Sequence, residues 1–256
     1  MRSKDLTIRV LISALLVGVP GFVAQDVSPL PDSEIARFDE VLEKRASLDY
    51  LVTLPEGYED GDREWPLLLF LHGAGERGND LTKVAVHGPP KLIANGTRTF
   101  KAVVVSPQCP EGSWWNYQPL TELVEHLEKT YRLDPDRLYV TGLSMGGYGT
   151  WDLAFRNPDK FAAIAPVCGG GVRFGPRAIP HLPVWAFHGG KDGVVPPSES
   201  ETLVDLLKEK GSTTVQLTIY PEAGHDSWTA AYEEPKLWEW IFAQRKSNNA
   251  SPETKK

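Results

Sequence analysis

Leu138-Tyr-Val-Thr-Gly142-Leu-Ser144-Met-Gly146-Gly-Tyr148 decides the fold. It opens as an apolar, β-favouring run, and from Gly146 to Asn157 apolar residues recur three and four apart, as in a helix. Between strand and helix stands Gly-x-Ser-x-Gly. A serine hydroxyl is a weak nucleophile that needs a tight turn to present it beside a base, and flanking glycines leave room for such a turn. The bland reading of Ser144 is an N-cap for the helix that follows. What decides between the two is whether the chain supplies partners in the right places.

Strands and helices alternate on both sides of this unit. Tyr50 to Leu54, Leu67 to Leu71, Ala102 to Ser106, Leu138 to Thr141, Ala162 to Val167, Val184 to Phe187 and Val215 to Tyr220 read as strands. Leu120 to Thr130, Gly146 to Asn157 and Ser198 to Lys210 read as helices, the last ended by Gly211. Most strands are continuous apolar runs, the pattern of strands covered on both faces, so the fold class is α/β with a mostly parallel central sheet. Gly78 to Thr97, with Gly88, Pro89, Pro90 and Gly96, reads as a long excursion carrying short helical pieces. The 256 residues suit one domain.

When a serine sits on such a strand-to-helix turn, an acid and then a histidine follow it in the chain, on loops at the C-terminal ends of later strands. The strand ending at Phe187 runs into His188-Gly-Gly-Lys-Asp192, and the strand ending at Tyr220 runs into Pro-Glu-Ala-Gly-His225. Ser144 as nucleophile, His225 as general base and Asp192 as its support therefore share one rim of the sheet. Asp226 is adjacent to the histidine and Glu222 lies before the turn, so neither easily supports the imidazole from behind. His188 reads as a hydrogen-bonding partner for backbone at the strand end. His87, His126 and His181 have no motif around them.

An acyl-transfer site also needs N–H donors for the oxygen that becomes negative. Met145, next to the nucleophile, supplies one. The loop His72-Gly73-Ala74-Gly75-Glu76-Arg77-Gly78 supplies the other, through Ala74 or Gly73. Trp114, Trp115 and Asn116 follow the strand ending near Pro107, and Trp228 lies just past His225. Aromatic faces there form a substrate wall or pack the loops; the choice is even for Trp115 and Trp228, whereas Trp151, Trp185 and Trp238 read as packing. Glu76 and Arg77 pair with each other or line the pocket. Cys168 ends the strand after the nucleophile helix and reads as a buried thiol.

A net charge of −7 without an internal basic run gives no footprint for nucleic acid or anionic lipid. Two cysteines, Cys109 and Cys168, have no metal-ligand spacing and leave one disulfide or two thiols open. Arg2, Lys4 and Arg9 before the apolar run Val10 to Val19 read as an export signal, too short to be a stable membrane anchor. The expected layout is a signal over 1–24, a leader over 25–46 with a short helix carrying Ile35, Phe38, Val41 and Leu42, a catalytic domain over 47–245 and a disordered tail over 246–256. The protein is thus expected outside the cytoplasm, secreted or periplasmic. Oligomeric state is not legible.

Six motifs carry a resemblance: Leu71-His72-Gly-Ala-Gly-Glu-Arg-Gly78, Ser106-Pro-Gln-Cys-Pro110, Gly142-Leu-Ser-Met-Gly-Gly147, Pro166-Val-Cys-Gly-Gly170, His188-Gly-Gly-Lys-Asp192 and Gly224-His-Asp-Ser-Trp228. Through them the chain resembles the α/β-hydrolases, and more narrowly the small secreted esterases similar to polyhydroxybutyrate depolymerases and feruloyl esterases, also grouped as predicted peptidases. The resemblance spans Leu48 to Trp240. It implies hydrolysis of small or carbohydrate-linked esters, of acetyl or hydroxycinnamoyl type, with no metal and no cofactor. The short connection from Pro166 to Pro183 leaves no room for a large lid. Two rival functions remain: a peptidase of the prolyl-oligopeptidase type, whose known members carry an upstream propeller, and a non-catalytic glycan-binding module.

Overall fold

The apolar runs assemble into a seven-stranded sheet in a computed structural model that describes residues 47–249. In chain order the strands are β1 Tyr50–Thr53, β2 Trp65–Leu71, β3 Val103–Pro107, β4 Leu133–Leu143, β5 Ala163–Val167, β6 Val184–Gly189 and β7 Val215–Tyr220. Across the sheet they lie β1-β3-β2-β4-β5-β6-β7, and every neighbouring pair is parallel except β1 with β3. All seven expected strands are present. The largest difference is β4, which starts before Leu138 because Leu133 pairs with Trp65 ahead of an irregularity in the β2–β4 ladder. Asp134 and Pro135 look like a turn in sequence, yet the strand runs on through them, unpaired with β2 between Leu133 and Leu138.

Alternation within the strands sorts the core into two layers. Leu67, Leu69, Leu71, Val103, Val105, Leu138 and Val140 face α2 Tyr117–Thr130, α3 Met145–Arg156 and α4 Ser198–Glu209. Leu68, Phe70, Val104 and Tyr139 face the other way, onto α1 Gly88–Ala94, α5 Trp228–Glu233 and α6 Pro235–Ala243. With side chains buried on both faces, these strands have no polar side to show in sequence. Asn116 caps α2 by accepting from the Gln118 N–H at 2.9 Å, and Gly211, at φ 88°, follows the end of α4.

Helices α5 and α6 are absent from the sequence expectation. The signal for α6 is legible in retrospect: Glu234 accepts from the Lys236 N–H, Pro235 occupies the first turn, and Leu237, Trp238 and Ile241 share the buried face. The excursion after β2 does hold short helical pieces, a 3-10 turn at Leu81–Ala85 and α1. As expected, the connection from β5 to β6 carries only the 3-10 turn Gly175–Ala178. Lys246–Asn249 close one helical turn beyond α6. The export signal, the leader with its helix at Ile35 to Leu42, and residues 250–256 lie outside the described residues. Among the described residues no helix is long and apolar enough to cross a membrane.

Register sets the rim. Leu71 pairs with Gly142, Leu143 with Val167, Val167 with Phe187 and Gly189 with Tyr220. The C-terminal ends of β2, β4, β5, β6 and β7 therefore finish level, and the loops that leave them crowd one edge, where open α/β sheets place their sites.

Trp151 tests this packing. It is wholly buried on α3 and stacks on Phe155 at 5.5 Å between centroids. Trp151→Ala should cost about 3–5 kcal/mol in guanidinium unfolding. A loss under about 1 kcal/mol would mean this layer is not close-packed.

Candidate active site

Between β4 and α3 the whole turn is one residue, Ser144, with φ 52° and ψ −116°. Such a backbone costs a residue with a side chain about 1–3 kcal/mol, so its surroundings must hold it there. The Ser144 N–H donates to the Val167 carbonyl at 2.9 Å, and the Ser144 carbonyl accepts from Tyr148 at 3.1 Å. The flanking glycines are required by space: a Cβ on Gly146 would lie 1.9 Å from the Leu71 carbonyl oxygen, and one on Gly142 would lie 2.4 Å from that of Gly146. Ser144 occupies the cap position of α3, but its side chain makes no capping bond. The hydroxyl points instead to His225.

His225, on the loop between β7 and α5, brings Nε2 to 2.9 Å from Ser144 Oγ and Nδ1 to 2.7 Å from Asp192 Oδ2. Asp192 stands on the loop after β6, where its Oδ1 accepts from the N–H groups of Val194 and Val195, both at 2.9 Å. Burial alone would raise this carboxyl. The hydrogen bond from His225, followed by those from Val195 and Val194, outweighs burial and holds it below the ordinary carboxylate value. The rival acids are engaged elsewhere, Asp226 capping Thr229 and Glu222 pairing with Lys191. His188 does bond backbone, at the Val195 carbonyl. His126 lies by Tyr50 and Thr130, and His181 by Asp159, away from this rim.

The loop after β2 is held from several sides. His72 bonds the Gly73 carbonyl through Nδ1 at 2.6 Å and accepts the Cys109 N–H at Nε2 at 3.0 Å, which assigns the proton to Nδ1. The Trp115 indole donates to the His72 carbonyl at 2.9 Å, and Gln108 donates to the carbonyls of Glu76 and Asp80, each at 2.8 Å. Arg77 ties the Ala74 carbonyl to that of Ser113. Met145 is the first residue of α3 and Ala74 the first of a 3-10 turn, with Gly73 at its cap, positions whose N–H groups have no carbonyl behind them within the helix. Nothing in the sequence assigns His72 or Gln108 a role, because their bonds reach residues far along the chain.

The aromatic expectations divide. Trp115 is corrected to packing: it is 9% exposed, and its N–H is spent on His72. Trp114 is 62% exposed and meets Tyr148 edge-on at 6.3 Å. Trp228 stands edge-on to His225 and beside His87, each at 5.3 Å. Behind it a cavity of about 50 Å³ is lined by His87, Lys91, Thr97, Thr229 and Glu233. Glu76 faces His87 at 3.8 Å, so it neither pairs with Arg77 nor shares that side chain's task of tying loops.

Cys109 and Cys168 are both buried and unbonded. Among the described residues, ligand atoms of Cys168, Asp192 and His225 lie within 4.8 Å of one another. Burial pushes the Cys168 thiol up to about 12, and Asp192 and His225 are bonded to each other.

Burial drives the His72 imidazole down to about 4, against a smaller upward pull from the Gly73 carbonyl. The unfolded chain accepts that proton near its ordinary value of 6.5. The stability His72 lends is complete above that value and is lost as pH falls toward 4, a change of about 3 kcal/mol. Urea unfolding at pH 7 and pH 4 should show a difference about 3 kcal/mol smaller in His72→Gln than in the parent. Equal differences would mean that His72 is protonated within the fold.

Residues 33–250 match the dienelactone hydrolase family. The chain is 31% identical over 137 residues to a bifunctional acetylxylan esterase/xylanase of Neocallimastix patriciarum, covering 51% of this chain and 20% of that protein. It is 36% identical over 119 residues to a poly(3-hydroxyoctanoate) depolymerase of Pseudomonas fluorescens, covering 43% and 42%. It is 28% identical over 159 residues to the protein named Probable feruloyl esterase C of Aspergillus terreus, covering 58% and 56%. The matches thus span from a fifth to just over half the length of these relatives. The crystal structure of a thermostable esterase superposes with a TM-score of 0.66 at 34% identity, covering 77% of this chain and 59% of that one. With the sheet order, the serine turn and a family match across most of its length, the chain belongs to the dienelactone hydrolase family of α/β-hydrolases.

Proposed function

We propose that the protein is a carboxylic-ester hydrolase that works through an acyl-enzyme on Ser144. The observation that carries this reading is the unbroken line Asp192 Oδ2 to His225 Nδ1 at 2.7 Å and His225 Nε2 to Ser144 Oγ at 2.9 Å. As Oγ attacks the ester carbonyl carbon, its proton passes to Nε2, and the imidazolium that forms is stabilised by Asp192. The carbonyl oxygen takes the negative charge and is met by the Met145 N–H and by Ala74 or Gly73. The C–O bond to the alcohol breaks with the Nε2 proton moving to the departing oxygen. Water then enters by the same steps in reverse order, giving the acid and free Ser144.

The substrates on this reading are small or carbohydrate-linked esters with acetyl or hydroxycinnamoyl groups. Support comes from relatives named for acetylxylan and feruloyl esters and from Trp114, whose exposed ring by Tyr148 offers a stacking face. Trp228, edge-on to His225, offers a second aromatic face. The basic N-terminus and its apolar run support export, with the mature protein found outside the cytoplasm.

Ser144→Ala should abolish turnover of p-nitrophenyl acetate, and Asp192→Asn should lower kcat by about 10⁴ by leaving His225 in the wrong tautomer. Acetyl, longer acyl and hydroxycinnamoyl esters, assayed beside a peptide anilide, should all outpace the anilide. A strong preference for the anilide would overturn the esterase assignment in favour of a peptidase.

A further inference from the structure

One wholly buried titratable side chain touches the acid of the trio and has no part in the steps above. His188, near the end of β6, has Nε2 2.9 Å from the Val195 carbonyl oxygen and 3.3 Å from Asp192 Oδ2. Both neighbours are acceptors, so Nε2 carries a proton, directed at Val195 with the carboxylate alongside. On its other side Nδ1 lies 2.8 Å from Ser200 Oγ, on α4, and that hydroxyl is also 3.1 Å from the Gly169 carbonyl oxygen. Ser200 has one hydroxyl proton, so it serves either Nδ1 or the Gly169 carbonyl, and Nε2 keeps its proton in either case.

Val195 is therefore held twice through its backbone. Its N–H donates to Asp192 Oδ1 and its C=O accepts from His188. The turn from Asp192 to Val195 aims Oδ2 at His225, and within it Gly193 has only open space where a side chain would sit, so that residue adds no restraint. We propose that His188 is a positioning residue for the reaction: anchored by Ser200, it closes the Asp192 turn and fixes the direction in which the carboxylate meets His225. The inference rests on the esterase reading of Ser144.

Two polar replacements separate positioning from simple filling of space. Glutamine can place an N–H near the position of Nε2, and asparagine near that of Nδ1. Reactive sites are counted with a fluorophosphonate that labels Ser144, and ester kinetics are expressed per labelled site. His188→Gln should keep kcat within about threefold of the parent, whereas His188→Asn should lower it about tenfold with KM unchanged, the scale expected of a slightly misdirected base. Ser200→Ala should show a smaller loss in the same direction. Equal kcat in the Gln and Asn variants, or a loss seen only in KM or in melting temperature, overturns the proposal. If the Asn variant does not fold, a kcat for Ser200→Ala equal to the parent's overturns it. A parent that neither labels nor turns over ester defeats the esterase reading itself; a parent that does both, with indifferent variants, defeats only the role of His188.

Discussion

The approach of the first turn of α3 to the end of β2 is the constraint from which the site follows. Gly146 lies so near the Leu71 carbonyl that no Cβ fits, and this closeness turns the chain at a single residue. That residue takes the positive φ, and its hydroxyl is forced off the cap position into the open. The same contact sets the N-terminus of α3, with its unbonded N–H groups, beside the loop that leaves β2. On the reading proposed above, nucleophile and anion site are thus two results of one packing event between backbones. A side chain at residue 146 would disturb both together.

Around that contact the protein buries polar groups and satisfies them with backbone. His72 is spent between Gly73 and Cys109, Asp192 takes three donors, and His188 joins Val195 to Ser200. In a medium of low dielectric, each satisfied bond is stronger and each missing one costs more, so loops tied in this way hold one conformation. This explains how a rim made wholly of loops can be rigid without disulfides, with Cys109 and Cys168 both unbonded. It also separates duties among histidines of similar chemistry. His225 is partly exposed, its side chain 20% accessible, whereas His72 and His188 are sealed and serve the loops.

The fold was legible because its signals are local. Apolar runs gave all seven strands, and the serine turn with its two later partners could be ordered on one rim by topology alone. The start of β4 escaped because pairing of Leu133 with Trp65 is a long-range event that Asp134 and Pro135 mask. Helix α5 escaped because six residues are too few for a period to show. Within the site, the staples of the β2 loop were illegible for a related reason. Trp115 and Gln108 bond carbonyls 43 and 32 residues back in the chain, and a backbone acceptor leaves no mark in sequence, since every residue has one. Trp115 could be seen to lie on the rim; that its N–H turns inward could not.

The same distinction explains why family likeness speaks more strongly of the reaction than of the substrate. Residues at the strand ends are fixed by register and by close backbone contact, so any chain that keeps the turn keeps the chemistry near it. The connections beyond them have no such constraint. Val86, Trp114, Val172, Phe174 and Val194, exposed large apolar side chains, all lie on segments leaving the C-terminal ends of strands. Such positions lie outside the core, so they can change without disturbing it. On the reading proposed above, recognition of the acyl and alcohol groups therefore falls to the part of the molecule that physics constrains least, whereas bond cleavage falls to the part fixed by register and close backbone contact.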